Sequence, residues 1–378
     1  MIPTSSATLF PMSNRAWPIT AAICLLGLAP LSVGARETQN IVLVTLDGAR
    51  AEEVFGGLDI DVLRAATKDG KAEDTEAYRR YWAPTAEERR RKLLPFLWGD
   101  LLVQQGSIAG NRALGSTVAL ENQLRFSYPG YSEILTGKAR DDLITENAKK
   151  NNPHTTVLET LKKKLDLDAH GVAAFASWDV LGFIVEHERG AITTNAGFAD
   201  YASTAPGVAE LNRLQRETVT PWDTVRHDIY TFRFAASHLE KHEPRVLYIG
   251  LGETDDWAHD GRYDRVLGAL ERTDAYLREL WDILQSRERY RGKTALVVTT
   301  DHGRGDSPKS WRDHGKDVEG AQWTWIVFAG PDWKARGEWR DAEPVFASQI
   351  AATLCATLGV DWSADHPEAG KPVKALFP

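Results

Sequence analysis

The chain has 378 residues, of which 43% are hydrophobic, and its formal net charge is -8 at pH 7. This length is sufficient for a large buried core, organised as one big α/β domain or two smaller ones. The acidic balance argues against a nucleic-acid-binding surface, and a total of two cysteines excludes a cysteine-rich metal site.

The first 35 residues have the pattern of an export signal. Arg15 is the only charged residue among them, residues 19 to 29 are mostly apolar, and Val33, Gly34 and Ala35 resemble a small-residue cleavage site. The apolar run is short for a membrane span, so an uncleaved anchor is the weaker alternative. We therefore expect a mature chain of residues 36 to 378, periplasmic or secreted, with no stable membrane span after signal cleavage.

Strand and helix patterns alternate along the mature chain. Residues 41 to 46 form a nearly continuous apolar run, which is typical of a strand buried on both faces. Residues 59 to 100 are highly charged, and we expect a solvated helical insertion near 59–110 at one edge of the domain. Further strands are predicted at 172–176, 246–251, 295–298 and 325–328, and helices at 156–165, 221–242, 262–285 and 345–358. This alternation predicts one α/β domain with a mostly parallel central sheet and helices on both faces.

Acidic and imidazole side chains follow three of the predicted strands. They are Asp47 after the first strand, Asp255 and His259 after 246–251, and Asp301 and His302 after the strand that begins at 295. Because the carboxyl ends of parallel strands lie at one edge of a sheet, we expect these groups to meet there. An Asp-Gly pair is more often a turn, and a single histidine is more often a packed residue, so the argument depends on the whole set.

Spacing divides these residues into two candidate metal sites. Asp255 and His259 are four residues apart, which brings two side chains together over one helical turn. His314 would complete a site of one carboxylate and two imidazoles, with an open position for substrate as catalytic zinc prefers. The second candidate set consists of Asp47, Asp301 and His302. Two such sites predict a two-metal hydrolase.

Ser127 is the candidate nucleophile. Residues 126 to 137 have the pattern of a turn that leads into a short helix, since Pro129 suits a first helical turn and Gly137 suits a helix end. Ser127 would then face the positive end of that helix, where a developing alkoxide and an incoming phosphate are stabilised. The alternative is that Ser127 merely caps the helix, and the segment alone favours neither.

These residues resemble a known family in their order along the chain. The order of Asp47, Ser127, Asp255, His259, Asp301, His302 and His314 is similar to that of the alkaline phosphatase superfamily, especially its nucleotide pyrophosphatase/phosphodiesterase branch. That branch has a Thr-Phe-Pro-Asn segment ending in Thr-Gly, whose first residue is the nucleophile and matches Ser127. Gly130 stands where the branch commonly has Asn, and Ala258 where Gly usually precedes the ligand histidine; neither departure removes a ligand.

The resemblance implies an alkaline-phosphatase-like fold and two divalent metal ions, with zinc as the expected metal. One ion would be held by Asp255, His259 and His314, and the other by Asp47, Asp301 and His302 with Ser127 reaching it. The resemblance also implies that Ser127 attacks phosphorus and that water hydrolyses the phosphoseryl intermediate. The asparagine that donates to a phosphoryl oxygen in this family would be Asn147, with Asn151 and Asn152 as rivals.

The expected function is an exported two-metal hydrolase of small-molecule phosphate mono- or diesters. A phosphotransferase or mutase is one alternative, because an alcohol competes with water for the same intermediate. A sulfatase of the superfamily is less favoured, because Tyr131 stands where the sulfatase Cys/Ser-x-Pro-x-Arg motif has arginine. A non-catalytic metal- or phosphate-binding protein is the alternative from another class, and it would have no use for Ser127.

Overall fold

In the part of the chain that the computed structural model describes, residues 36 to 377 with Met1, Pro3 and Thr8, eight strands form one central sheet. The export signal expected over residues 1 to 35 therefore lies outside the described residues, apart from these three. The strands in chain order are β1 (Asn40–Leu46), β2 (Gly106–Ala109), β3 (Val118–Ala119), β4 (Val172–Ala176), β5 (Thr193–Ala196), β6 (Val246–Leu251), β7 (Thr294–Thr300), β8 (Trp323–Thr324), β9 (Ile326–Ala329), β10 (Gly337–Glu338) and β11 (Val345–Phe346). The order across the central sheet is β10-β2-β9-β7-β1-β6-β4-β5, and a small second sheet has the order β11-β3-β8.

The central sheet is mostly parallel. The neighbouring strands β7, β1, β6, β4 and β5 all run in one direction, and β9 is antiparallel to both β7 and β2. All seven residues of β1 are buried. Ile41 and Leu43 pack into one apolar core while Val42 and Val44 pack into another, as expected for a strand covered on both faces. The predicted fold class is confirmed.

Helices cover both faces of this sheet. The α-helices in chain order are α1 (Ala51–Gly56), α2 (Ile60–Ala66), α3 (Glu76–Tyr81), α4 (Ala86–Leu93), α5 (Leu102–Gln104), α6 (Ser127–Thr136), α7 (Val157–Lys164), α8 (Leu181–Ile184), α9 (Val208–Glu217), α10 (Asp228–His242), α11 (Glu253–His259), α12 (Tyr263–Ser286) and α13 (Gln349–Thr357). Residues of α1 to α4, α10 and α12 contribute to one core, and residues of α6, α7, α8 and α13 contribute to the other. Among the described residues, no helix is both long and apolar enough to cross a membrane.

Two helices begin later than the sequence pattern predicts. The helix predicted from residue 221 begins at Asp228, because Val225 pairs with Trp178 in an isolated β-bridge that keeps this part of the chain extended. The closing helix predicted from residue 345 begins at Gln349, because the two residues of β11 pair with β3. In both cases a tertiary strand pairing overrides the local helical pattern.

The charged segment near 59–110 differs from the predicted solvated insertion in its second half. The helices α2, α3 and α4 expose many charged side chains, but Leu93, Leu97 and Trp98 are buried in the main core. Burying such a side chain is worth roughly 1.5–3 kcal/mol, which favours docking over solvation. The last residues of the segment form β2, which is a strand of the central sheet rather than part of an insertion.

Candidate active site

The predicted ligands meet at the carboxyl ends of three adjacent strands. Asp47 directly follows β1, and Asp301 and His302 directly follow β7, which is paired with β1. On the other side of β1, β6 leads into α11, which carries Asp255 and His259 one helical turn apart. The central position of these strands in the sheet therefore brings together side chains that are more than 200 residues apart in the chain.

Asp47, Asp301 and His302 form the first cluster. One coordinating atom from each lies within 4.8 Å of the others, and all three residues are buried. The His302 Nε2 atom is 3.5 Å from Asp47 Oδ1 and 3.5 Å from Asp301 Oδ2. His302 Nδ1 lies 2.9 Å from the Gly303 carbonyl oxygen, so a hydrogen on Nδ1 can be donated there while Nε2 presents its lone pair to the cluster.

Asp255, His259 and His314 are the second predicted set. Asp255 and His314 each also have a coordinating atom within 4.8 Å of one another and of one from His302, whereas His259 contacts this group through Asp255 and His314. His259 Nε2 is 3.2 Å from Asp255 Oδ2 and 3.1 Å from His314 Nε2. His314 is placed by the loop after β7, and its Nδ1 lies 3.2 Å from the Arg125 carbonyl oxygen. The two clusters adjoin through His302, whose Nε2 is 3.9 Å from Asp255 Oδ1. All six predicted ligands are therefore gathered in one place, in two adjacent sets.

The electrostatics of the site suit bound cations. Burial and the mutual repulsion of neighbouring carboxylates raise the pKa of Asp47 and of Asp301 well above the ordinary range. Burial lowers the pKa of His302 to about 4, so its imidazole is neutral at pH 7. Gly48 N–H donates to Asp301 Oδ1, but Asp301 Oδ2 is buried without a hydrogen-bond partner among the described residues. A buried orphan carboxylate oxygen among further carboxylates and neutral imidazoles is a donor set that fits divalent metal ions.

Arg304 is a site residue that sequence reasoning missed. It is 1% exposed, and its guanidinium pairs with the Asp255 carboxylate and donates to the Asp255 carbonyl oxygen at 3.1 Å. Burial alone would raise the pKa of Asp255, but Arg304 and His259 outweigh it and hold that pKa well below the ordinary range. The only signal in the sequence is a cation two residues after His302, on the loop that leaves β7.

Ser127 is the first residue of α6 and faces the first cluster. Its Oγ atom is 3.4 Å from Asp47 Oδ1 and 3.4 Å from His302 Nε2, and the residue is 5% exposed. The N-cap position belongs to Phe126, and α6 has no side-chain cap hydrogen bond. The geometry therefore contradicts the capping alternative and directs the hydroxyl at the predicted metal ligands.

The close packing of α6 against the end of β7 fixes the position of Ser127. A Cβ atom on Gly130 would lie 2.2 Å from the Asp301 carbonyl oxygen, so only glycine allows this approach. In this chain the contact therefore requires glycine at position 130. One residue later, the buried Tyr131 donates its Oη hydrogen to Asp47 Oδ2 at 3.1 Å, which orients that carboxylate.

The three candidate asparagines have different positions. Asn147 is exposed beside the start of α6, and its Oδ1 accepts the backbone N–H of Tyr128 at 3.0 Å. Asn152 is buried, and its amide donates to Ser132 Oγ and to the Ile184 carbonyl oxygen. The Asn151 amide donates to the His187 carbonyl oxygen. Only Asn147 among the three is hydrogen-bonded to the residue that follows Ser127.

Comparisons with known proteins identify a matching family and fold. Residues 134–348 match the family described as type I phosphodiesterase / nucleotide pyrophosphatase, a span that includes Asp255, His259, Asp301, His302 and His314. No curated protein matches the chain in sequence.

Similar solved structures include the wild-type alkaline phosphatase PafA, with 11% identity, 92% of this chain and 100% of that chain covered, and a TM-score of 0.58. The phosphonate monoester hydrolase SpPMH from Silicibacter pomeroyi has 12% identity, coverage of 89% and 76%, and a TM-score of 0.54. An alkaline phosphatase superfamily protein from Vibrio parahaemolyticus has 15% identity, coverage of 89% and 69%, and a TM-score of 0.51. At these identities the likeness establishes an alkaline-phosphatase-like fold.

Proposed function

Because the chain belongs to the type I phosphodiesterase/nucleotide pyrophosphatase family of the alkaline phosphatase superfamily, we propose that it is an exported, two-metal hydrolase of phosphate esters that acts through Ser127. Family and fold support an enzyme that acts on phosphate esters in general. The single observation that carries the more specific proposal is the position of Ser127 Oγ, 3.4 Å from both Asp47 Oδ1 and His302 Nε2.

The proposal assigns the two divalent ions to the two side-chain clusters. Asp47, Asp301 and His302 would hold one ion near Ser127, and Asp255, His259 and His314 would hold the other. The orphan Oδ2 atom of Asp301 and the mixed carboxylate and imidazole donors support this assignment, and such donors favour zinc. When bound, the ions stabilise negative charge on phosphoryl oxygens and activate oxygen nucleophiles.

The chain's own residues would then carry out the displacement. The Ser127 hydroxyl lies 3.4 Å from Asp47 Oδ1 and from His302 Nε2. Because a bound ion would occupy the His302 lone pair, the Ser127 hydrogen would be released to solvent, and the oxygen would present a lone pair to phosphorus. A bond from Ser127 Oγ to phosphorus forms as the ester oxygen leaves and takes up a proton from solvent, and water then hydrolyses the phosphoseryl ester and restores the hydroxyl. The positive end of α6 and the amide of Asn147 would stabilise the phosphoryl oxygens.

The proposal includes export. Its support is the N-terminal sequence, in which a single Arg15 precedes an apolar run and a small-residue segment ending at Ala35. N-terminal sequencing of the protein from a periplasmic or secreted fraction should give a chain that begins near Arg36. An uncleaved chain in the membrane fraction would support the anchor alternative instead.

A substrate panel tests the function itself. Purified zinc-loaded protein should be assayed on aryl phosphate monoesters, aryl phosphate diesters, phosphonates and sulfates, with and without an added alcohol acceptor. The proposal predicts that a phosphate ester gives the highest kcat/KM and that water is the main acceptor. Preference for the sulfate, dominant transfer to the alcohol, or tight metal binding without turnover of any ester would each contradict it.

A further inference from the structure

A second group of metal-type side chains lies away from the candidate active site. The strands β1 and β4 both run parallel to β6, which lies between them. His170 lies just before the amino end of β4, and Asp47 follows the carboxyl end of β1, so the two residues lie at opposite edges of the sheet. His238 and His242 are four residues apart on α10 and therefore project from the same face of that helix. One ring nitrogen from each of the three histidines lies within 4.8 Å of the other two.

The three rings form a cluster that is buried on one side and open to solvent on the other. The His238 side chain is 0% exposed, His242 is half-buried and His170 is exposed. The ring centroids of His170 and His242 are 3.9 Å apart, and those of His238 and His242 are 4.7 Å apart. The exposed side of the cluster gives an ion a path from solvent.

Both ring nitrogens of His238 have hydrogen-bond partners, and one tautomer leaves Nε2 available to a metal ion. Its Nδ1 atom is 2.7 Å from Tyr201 Oη, and a hydrogen donated there leaves the lone pair on Nε2. The Nε2 atom is also 3.2 Å from the His170 carbonyl oxygen. In the metal-free protein Nε2 can donate a hydrogen to that oxygen, and a bound ion would take the place of this hydrogen when Nδ1 carries the hydrogen donated to Tyr201 Oη.

The charges around the cluster also suit a cation. Asp168 is a negative charge near both His238 and His242, and its Oδ1 accepts the backbone N–H of His170 at 2.8 Å. The neighbouring cation, Lys241, directs its ammonium group to the Thr204 hydroxyl. The loop before β4 therefore brings one carboxylate and one imidazole to the imidazoles of α10.

We propose that His170, His238 and His242 bind a divalent transition-metal ion that is separate from the catalytic centre. Three imidazoles select zinc, copper or nickel over magnesium and calcium, which prefer oxygen ligands. Bound there, the ion would link the loop before β4 to the last turn of α10, and its role would be structural. This inference does not depend on the proposed catalytic function, since none of its residues contacts Ser127 or the clusters beside it.

Zinc content per chain tests the inference. The wild-type protein and the variants His170→Ala, His242→Ala and His366→Ala should be saturated with zinc, freed of excess by gel filtration and analysed for metal. His366 is the control because it stacks on Trp362 and lies outside the cluster. We expect His170→Ala and His242→Ala each to hold one zinc fewer than the wild type, and His366→Ala to match the wild type.

Ester turnover measured on the same samples separates this site from the active site. His170→Ala and His242→Ala should keep wild-type turnover while they lose one zinc, because the missing ion is not catalytic. Equal zinc content in the wild type and both cluster variants would overturn the inference, whatever the activity. Since His170 is exposed, its alanine variant removes a ligand without opening a cavity in the core.

Discussion

Tyr131 Oη donates a hydrogen bond to Asp47 Oδ2 at 3.1 Å, and both side chains are buried. Tyr131 lies four residues after Ser127 on α6, so the helix that presents the candidate nucleophile also orients a candidate metal ligand. Because Gly130 packs directly on the Asp301 backbone, a shift of α6 would disturb both functions at once. The positions of the first cluster and of the candidate nucleophile therefore both depend on the placement of α6.

Replacing Tyr131 by phenylalanine should weaken metal binding. The change leaves Asp47 Oδ2 without its hydrogen-bond donor, and removing a group that orients a ligand typically costs about 10- to 100-fold in metal affinity. Competition with a zinc chelator measures this affinity. Tyr248→Phe is the matched control, since Tyr248 is also buried but its Oη pairs with Thr45. Equal zinc affinity in the two variants would contradict the role given to Tyr131.

Ser127→Ala should remove turnover while zinc is retained. Loss of a nucleophile that acts together with its site lowers kcat by at least about 10³-fold. Ser132→Ala is the control, because Ser132 lies on the same helix and its Oγ instead accepts a hydrogen bond from the Asn152 amide. Steady-state kinetics on a phosphate ester, with zinc content measured in parallel, gives the answer. Full activity in metal-loaded Ser127→Ala would rule out Ser127 as the nucleophile.

Asn147→Asp should lower kcat/KM by about 10²- to 10³-fold, the cost of losing one donor to a developing oxyanion. The aspartate keeps an oxygen for the Tyr128 N–H but replaces the amide donor with an oxygen that repels phosphate. Asn151→Asp makes the same chemical change in a residue that bonds the His187 carbonyl oxygen, and it should have little effect. Similar kinetics for both variants would leave Asn147 without a role in binding phosphate.

Glu133 should make the protein less stable as pH rises towards neutrality. Burial raises the pKa of this carboxyl to about 7 from an ordinary value of 4.5, although it accepts N–H groups from Glu121 and Asn122. Between these two values the folded state holds a proton that the unfolded state releases. The free energy of unfolding therefore falls through this window, by up to about 3 kcal/mol.

The variant Glu133→Gln isolates this contribution. Because glutamine does not titrate, the free energy of unfolding of the variant should rise relative to that of the wild type between pH 4.5 and pH 7. This change with pH is independent of any constant cost of the substitution. Urea unfolding at several pH values measures the difference. A difference that stays constant across this range would show that Glu133 does not hold the proton in the folded state.

The strand ends and the candidate metal ligands that follow them could be predicted from the sequence. Asp47, Asp255 and Asp301 each come soon after an apolar run, and the edge of a parallel sheet brings such positions together without further information. The pattern around Pro129 and Gly137 also predicted α6, which spans Ser127–Thr136 with Gly137 in the left-handed conformation at its end. Local sequence patterns were thus sufficient to predict the elements whose structure is determined by burial and by turn residues.

Features that depend on distant contacts were not accessible. Arg304 is buried because it pairs with Asp255, 49 residues earlier, and no periodicity marks such a pairing. The strand β5 has the polar sequence Thr-Thr-Asn-Ala and is held by its pairing with β4 rather than by an apolar pattern. Tyr131 has the sequence pattern of a packed aromatic residue, and only the fold brings its hydroxyl to Asp47.

The most direct measurement is phosphate ester turnover by the purified protein before chelation, after chelation and after zinc is added back. Two bound ions that stabilise the phosphoryl group and activate the nucleophile account for most of the rate in a site of this kind. We therefore expect turnover to fall to background on chelation and to return in full when two equivalents of zinc occupy the clusters at Asp47 and Asp255. Undiminished turnover by the fully metal-free protein would contradict the two-metal account.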